Sequence, residues 1–412
     1  MTSLTRARPV WLLALTLAAF AVQTDDYIII GVLPAISDTV HLSETATGQL
    51  VTVYSLTYAL AAPVWALLPV RIARKRALCG ALTVFSAANF AVLLVDAYPV
   101  LMALRIVAAL AAAMVLPSAL AAASAEAPPE QQGRYLATVM TGLTGAVLLG
   151  VPVGTWIGAA LGWRATFVFG GLLGVCAFLM LVRTLPRAEA YAVEERKTLG
   201  SMVRPLLNST VTVILLVTVL TVAGNLAFQT YIAPFLSGVS GVTPTVLGVL
   251  LVCSGAGGLL GTQASGRLID RYSPGRVFVL ASSVFCGAML AFAGIWLVRP
   301  VPVVFAAVLL VCWSAAAWAV PPSLQSLMLA RAGREAAGQA MAVHSSSVYI
   351  GAALGGAVGG GVIAADMGLI PAAAAVLAFL GLMILLPVLR SRTAGAAARG
   401  SAMAERKHET TT

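Results

Sequence analysis

Twelve apolar stretches of about 20 residues each follow one another along the 412-residue chain. About 20 residues is the length that an α-helix needs to cross roughly 30 Å of hydrocarbon. In lipid, backbone polar groups find partners only within a helix or a closed barrel, so the sequence predicts a bundle of transmembrane helices. We expect the spans at residues 10–33, 47–69, 77–95, 99–123, 135–160, 165–183, 207–233, 244–264, 276–298, 301–325, 338–363 and 370–389.

The composition excludes a soluble fold, because 60% of the residues are hydrophobic and only 10% are charged. A soluble domain carries about 25% charged residues. The net charge of +10 does not indicate a nucleic-acid partner, since 22 of the 25 Lys and Arg residues fall on one side if both termini are cytoplasmic. This asymmetry follows the positive-inside rule. We therefore expect a multi-pass protein of the inner (plasma) membrane, surrounded by lipid and with both termini in the cytoplasm.

The longest polar segment, residues 183–205, separates six spans from six. A basic turn around Arg71 has a counterpart around Arg271, about 200 residues later, which is the spacing expected of a parallel internal duplication. We predict an N-terminal six-helix bundle at 1–183, a cytoplasmic linker at 184–206, a C-terminal six-helix bundle at 207–390 and a disordered cytoplasmic tail at 391–412.

Two adjacent carboxylates, Asp25 and Asp26, interrupt the first span. A charged side chain within the membrane costs roughly 2.5–3.5 kcal/mol on insertion scales and is therefore the default place to look for function. By helical rise, Asp26 lies roughly 12 Å below Pro34, and Arg105 lies about 9 Å below Pro99. Their similar depth predicts an ion pair between Asp26 and Arg105. The alternative is that these two residues only hold helices together and have no role in transport. Asp25 points about 100° away from Asp26, so we expect it at the rim of a cavity.

A substrate path should carry polar and aromatic side chains on an otherwise apolar wall. Such side chains occur on spans 2, 7, 10 and 11. Trp313 and Trp318 are further candidates for stacking on a planar ligand, although tryptophan is also common at membrane interfaces. The predicted substrate-binding residues are Tyr54, Tyr58, Asn225, Gln229, Tyr231, Gln325, His344 and Tyr349.

Four motifs, in the order of the spans, resemble the major facilitator superfamily and, within it, the twelve-span drug:proton antiporter group of arabinose, purine and chloramphenicol exporters. Span 1 carries the sequence TDDYIIIGVLP, in which the acidic position of the group falls on Asp26, and span 4 carries PVLMALR, which ends at Arg105. Span 5 is similar to a glycine-proline motif of antiporters, with Gly142, Gly150, Pro152 and Gly154. The loop after span 8 is similar to a basic gating motif, with Gly266, Asp270, Arg271 and Arg276.

The resemblance implies an all-α fold of twelve transmembrane helices in two pseudo-symmetric six-helix bundles. It implies alternating access, with Asp26, Arg105 and Asp25 coupling transport to protons, and with the span 5 and loop motifs serving the conformational change. His344 stands where similar exporters often have Asn. The expected function is export of a small amphipathic compound, such as a drug, an antibiotic, a nucleoside or a sugar derivative, in exchange for protons.

Two alternatives remain: a proton symporter that imports a small metabolite, and a membrane receptor that transports nothing. The sequence carries no glycine-rich phosphate-binding loop, so a gradient is the expected energy source. It carries no metal-ligand cluster or nucleophile triad either, so we expect no enzymatic activity, no cofactor and no metal. The protein is expected to act as a monomer.

Overall fold

The computed structural model describes residues 9–67, 74–128, 131–186 and 208–409, and every regular element within these ranges is helical. Eleven helical segments in these ranges are long and apolar enough to cross a membrane, which confirms an all-α membrane fold. Most of the predicted linker and the basic turn around Arg71 lie outside the described residues. The helices are α1 (Val10–Val40), α2 (Glu44–Leu67), α3 (Arg74–Ala91), α4 (Tyr98–Glu126), α5 (Gln132–Gly145), α6 (Val151–Leu161), α7 (Trp163–Thr184), α8 (Ser209–Thr230), α9 (Ile232–Ser240), α10 (Pro244–Arg271), α11 (Pro274–Leu297), α12 (Val303–Ile363) and α13 (Ile370–Glu409).

The second predicted span, 47–69, corresponds to α2, which is not among the eleven segments. Its 24 residues reach about 36 Å at 1.5 Å per residue, enough to cross hydrocarbon. Threonine, serine and glutamine side chains along the helix lower its mean hydropathy. With α2 the described residues account for all twelve predicted spans.

The fifth predicted span consists of α5 and α6, joined by a π-helical turn at Ala146–Gly150. Pro152 lies in the first turn of α6, where a missing N–H is tolerated. The change in helix geometry within this span therefore lies in the turn just before Pro152. Single π-helical turns within longer helices are frequent at functional sites.

The last two elements differ from simple spans. Helix α12 contains two membrane-length segments, Val303–Arg331 and Val343–Ile363. Helix α13 continues beyond its apolar segment, Met367–Arg390, as far as Glu409. The backbone of 391–409 is thus helical where the sequence analysis expects a disordered tail, and the alanine content of this segment favours a helix.

Glycines bring two helix pairs into close contact. On the N-terminal side, a Cβ added at Gly142, Gly150 or Gly154 would overlap α1, at Thr16, Thr24 and Ile28 respectively. On the C-terminal side, Gly351 and Gly355 of α12 contact the backbone of α8 in the same way. Small residues allow this approach in a membrane, where helix association depends on close packing. The packing interpretation accounts for these glycines, and their role in movement stays a prediction.

Among the described residues, two of the contacts between helices α1–α7 and helices α8–α13 run along a pair of helices, and we call these contacts seams. In the first, α2 packs along α12, and Thr45 Oγ1 donates a 3.0 Å hydrogen bond to the carbonyl of Gly360. In the second, α6 packs along α10, and Trp156 Nε1 donates to the carbonyl of Thr245 at 3.1 Å. Both bonds lie near the membrane face at which α1 ends and α2 begins.

Candidate functional site

The acidic residues of α1 adjoin a buried arginine of α4. Arg105 Nη1 donates to Asp25 Oδ2 at 2.9 Å, and the two side chains are 1% and 0% exposed. Both guanidinium Nη atoms also lie 3.3–3.4 Å from the Asp25 carbonyl. The guanidinium carbon is 4.2 Å from the centre of the Tyr54 ring, within the range of a cation–π contact. Arg105 therefore links α1, α2 and α4 within the N-terminal helices.

The sequence analysis predicted the arginine of this ion pair correctly and the acid wrongly: the acid is Asp25 and not Asp26. Helical rise separates neighbouring residues by only 1.5 Å, so an argument from depth cannot distinguish them. Their directions differ by about 100°, and this difference decides which one reaches α4. The rim position that the sequence predicts for Asp25 is wrong as well, because Asp25 is fully buried.

Asp26 is partly exposed, and its side chain points about 100° away from that of Asp25 around α1. No ion pair to Asp26 is present within residues 9–67, 74–128, 131–186 and 208–409. Its carboxylate interacts electrostatically with the charges of Arg105 and Asp25. It also interacts with four tyrosines from α1, α2 and α12: Tyr27, Tyr54, Tyr58 and Tyr349. We call these four residues the tyrosine cluster.

One pair of this cluster crosses between the two sets of helices. The rings of Tyr58 on α2 and Tyr349 on α12 are stacked, with centroids 3.7 Å apart and planes inclined by 18°. Tyr54 belongs to the same region, since its ring faces Arg105. The structure thus brings together Tyr54, Tyr58 and Tyr349 from the predicted substrate-binding set, and it brings them to Asp26.

A small cavity of about 20 Å³, enough for a water molecule, lies between the two sets of helices. Gln229 is on its wall, and Asn225 Nδ2 donates a 3.0 Å hydrogen bond to Gln229 Oε1. Trp313 is also on the wall, and its buried Nε1 has no hydrogen-bond partner in the structure. The lining residues are Tyr27, Ile30, Val147, Val151, Gln229, Ile232, Leu251, Ser254 and Trp313.

Of the predicted substrate-binding set, only Gln229 is among the residues that line this cavity, and Tyr231, His344 and Gln325 lie elsewhere. Tyr231 is buried, and its hydroxyl donates to the carbonyl of Gly356 at 3.2 Å. His344 is buried between α12 and α8, with Nδ1 3.4 Å from Thr218 Oγ1, and its Nε2 has no hydrogen-bond partner among the described residues. Gln325 is half-buried on α12. Contact of these three with a substrate stays a prediction.

The loop motif after α10 lies at the surface. Asp270, Arg271 and Arg276 are exposed, and a Cβ at Gly266 would meet no atom within 4 Å. The Arg271 guanidinium lies 5.4 Å from the centre of the Tyr272 ring. Within the described ranges Asp270 forms no ion pair, so a latch at this loop stays a prediction.

The match to known families agrees with this arrangement of helices. The model of the Major Facilitator Superfamily matches residues 15–356. The chain belongs to the Major Facilitator Superfamily. It is a multi-pass membrane transporter of this superfamily.

Superfamily relatives resemble the chain over most of its length. It is 34% identical to the inner membrane transport protein YdhP of Escherichia coli (strain K12), over 90% of this chain and 94% of that protein. It is 32% identical to a chloramphenicol resistance protein of Streptomyces lividans, over 66% of this chain and 69% of that protein. The fold is similar to the crystal structure of a D-xylose-proton symporter, with a TM-score of 0.76 at 15% identity over 92% of this chain and 97% of that protein. It is also similar to the crystal structure of a mutant of the nucleoside transporter NupG, with a TM-score of 0.74 at 13% identity over 91% of this chain and 99% of that protein.

Two polar residues that line the cavity were absent from the predicted substrate-binding set. Tyr27 both lines the cavity and interacts with Asp26. Its signal in the sequence was its place directly after the two carboxylates. Ser254 also lines the cavity, but it lies in a glycine-rich part of α10 where no pattern distinguishes it from a packing residue.

Proposed function

We propose that this transporter exports a small amphipathic compound across the inner membrane in exchange for protons, by alternating access and with both termini in the cytoplasm. The observation that carries the proposal is the different environment of two neighbouring acids. Asp25 is held by Arg105, while Asp26 has no ion pair within the described residues and is partly exposed.

Asp26 is the proposed proton carrier. A carboxylate in a low-dielectric site is costly to keep charged unless a cation or hydrogen-bond donors stabilise it. Arg105 serves this role for Asp25 at 2.9 Å. Asp26 is left to exchange its proton with water or with a ligand, because its side chain is accessible. Binding of substrate and binding of a proton then compete at one residue.

The cavity between the two sets of helices links ligand binding to the movement of those helices in the transport cycle. Its lining residues come from both sets of helices, so a bound compound contacts both. Movement to the opposite state requires the seams at Thr45–Gly360 and Trp156–Thr245 to open. The glycine contacts between α1 and α5 or α6 supply smooth surfaces for this movement.

A drug or antibiotic is the substrate class that the relatives favour. The Streptomyces lividans relative is named for chloramphenicol resistance. Nucleosides and sugar derivatives are further substrate classes within the proposal. The inner membrane location is supported by the name of the Escherichia coli relative.

The test uses inside-out membrane vesicles that contain the full chain and carry an imposed proton gradient, acidic inside. Labelled compounds, including chloramphenicol, are screened for accumulation. We expect gradient-dependent accumulation by the wild-type protein and its loss in Asp26→Asn. Asp38→Asn is the matched control, because Asp38 is an exposed acid on the same helix.

Two results would count against the proposal. Equal accumulation by active wild-type protein and by Asp26→Asn would show that Asp26 does not couple transport to protons. Gradient-driven accumulation only in vesicles of the opposite orientation, with protons and substrate moving together, would identify an importer instead.

A further inference from the structure

The second membrane segment of α12 carries a buried histidine that the proposed proton coupling does not use. His344 is 1% exposed, and its Nδ1 lies 3.4 Å from Thr218 Oγ1 on α8. The neighbouring Val343 packs against a buried apolar cluster of α8 and α12 that includes Ile214 and Ala340. The imidazole is thus enclosed by the contact between these two helices.

The hydrogen bonds of Thr218 determine where the ring carries its proton. Thr218 Oγ1 donates its one hydrogen to the carbonyl of Ile214 at 2.9 Å, so towards the imidazole it can only accept. The proton of the neutral ring therefore lies on Nδ1. Nε2 is then a basic nitrogen with a free lone pair, buried and with no hydrogen-bond partner among the described residues.

No acid forms an ion pair or a hydrogen bond with His344 in the described part of the chain. Helix α8 carries no Asp, Glu, Lys, Arg or His along its whole length. On α12, Glu335 is nine residues away, roughly 13 Å along the helix, and Arg334 and Arg331 lie farther still. A second proton on the ring would therefore place a positive charge in apolar surroundings without a counter-ion, which is costly.

The other helices packed on α12 supply no counter-ion either. The tyrosines Tyr54 and Tyr58 of α2 are engaged by Arg105 and Tyr349. The charged groups of these helices are half-buried or exposed, and none pairs with His344: Glu44 on α2, Arg267, Asp270 and Arg271 on α10, Arg276 on α11 and Arg390 on the membrane segment of α13.

Helix α12 lies between α8 and α2, so a shift at the histidine reaches the other set of helices. Tyr349, which stacks on Tyr58 of α2, follows His344 by five residues, or roughly 7.5 Å along the axis. Five residues turn a helix by about 140°, so the two side chains leave α12 on nearly opposite sides. Movement that separates His344 from Thr218 therefore also moves Tyr349 against Tyr58.

We propose that His344 is a proton-binding site that controls the packing of α12. The neutral ring donates to Thr218 and holds α12 on α8, whereas a proton on Nε2 destabilises this contact and, with it, the Tyr58–Tyr349 stack between the two sets of helices. Thr218 lies roughly 13 Å from the start of α8, so the proton comes from the membrane face at which α8 begins. The inference goes beyond the proposed export function, since it adds a response to pH and needs no role for Asp26.

The test is hydrogen–deuterium exchange of the full-length protein in detergent, followed by mass spectrometry of the peptides that contain Tyr58 and Tyr349. His344→Asn keeps an N–H donor near the position of Nδ1 and takes up no proton between pH 8 and pH 5. We expect both proteins to exchange alike at pH 8 and wild type to exchange roughly tenfold faster than His344→Asn at pH 5. An imidazole in water takes up a proton near pH 6.5, and each pH unit below this favours the opened, protonated form by up to about tenfold.

Comparison at equal pH removes the intrinsic effect of pH on amide exchange. The matched control is His41→Asn, because His41 is exposed and its φ of 54° suits asparagine. This variant should keep the response of wild type. If His344→Asn does not fold, Thr218→Val and Thr218→Ser replace it: the valine removes the acceptor and should speed exchange at pH 8, whereas the serine keeps it and should match wild type.

The position of the proton is measured separately. The chain has three histidines, His41, His344 and His408, so ¹⁵N labelling of the imidazoles gives few NMR signals. The signals lost in His344→Asn, or moved in Thr218→Val, belong to His344. At pH 8 they should show a protonated Nδ1 and an unprotonated Nε2.

Two outcomes overturn the inference. One is equal exchange at pH 5 in wild type and a folded His344→Asn, or at pH 8 in wild type and Thr218→Val, and the other is a neutral His344 ring with its proton on Nε2. Neither touches the export proposal, which depends on gradient-driven accumulation in vesicles. Failure of that vesicle assay with the pH response intact would leave the switch in a protein of another transport mode.

Discussion

Arg105 Nη1 lies 2.9 Å from Asp25 Oδ2, and neither side chain is more than 1% exposed. This ion pair fixes the rotation of α1 against α4, and so it determines which of the two adjacent acids is left without an ion pair among the described residues. The pair is also a structural element in its own right. A buried charge that loses its partner is destabilising by about 3–5 kcal/mol.

The first prediction concerns the removal of Arg105. Arg105→Ala should lower the midpoint of thermal unfolding in detergent, because Asp25 is left charged and unpaired in a buried site. The double variant Asp25→Asn/Arg105→Gln should recover most of this loss, since two neutral polar groups replace the ion pair. A double variant as unstable as Arg105→Ala would show that the ion pair is not the source of the stability.

The second prediction is an asymmetry between the two acids. Asp25→Asn should destabilise the protein by several kcal/mol, because it leaves the Arg105 guanidinium buried without a counter-ion. Asp26→Asn should leave stability unchanged or slightly higher, since it removes a carboxylate that has no ion pair within the described ranges. Thermal unfolding of both variants under one set of conditions measures the difference. Equal destabilisation would contradict the proposed division between the acids.

Much of this fold follows from the sequence. Apolar stretches of about 20 residues identify the spans, and the helical rise gives the depth of Asp25, Asp26 and Arg105 in the membrane. The rotation of each helix does not follow, because it depends on which faces pack together. For this reason the sequence identified the acidic pair and the arginine but assigned the ion pair to the wrong neighbour.

The substrate-binding set shows the same limit. Tyr58 and Tyr349 are 291 positions apart in the chain and stack only because α2 packs along α12. Tyr231 carries a polar group on an apolar helix, as a ligand-binding residue does, yet its hydroxyl is used within the protein, on the Gly356 carbonyl. Polarity within a span indicates a partner, and only the packing shows whether that partner belongs to the protein.

The third prediction tests the seam between α2 and α12. A Cβ at Gly48 would overlap the hydroxyl of Tyr231, so Gly48→Ala should disturb the seam and lower both thermal stability and transport rate. Truncation of the ring should relieve the overlap, so Gly48→Ala should cost less in a Tyr231→Ala background than in wild type. Gly287→Ala is the matched control, because a Cβ there would meet no atom within 4 Å. Additive effects of the two substitutions would argue against a contact at this seam.

The fourth prediction separates stability from ligand binding at Trp313. Its ring packs on Phe228, with centroids 5.2 Å apart at 81°, while its buried Nε1 has no hydrogen-bond partner in the structure. Trp313→Phe keeps an aromatic ring and removes the unpaired donor, whose burial costs about 1–3 kcal/mol, so stability should be maintained or should rise despite the smaller side chain. If the indole N–H donates to substrate in the cavity, the same variant should bind substrate more weakly. Thermal unfolding with and without a transported compound measures both effects, and unchanged ligand stabilisation in Trp313→Phe would exclude the N–H as a ligand contact.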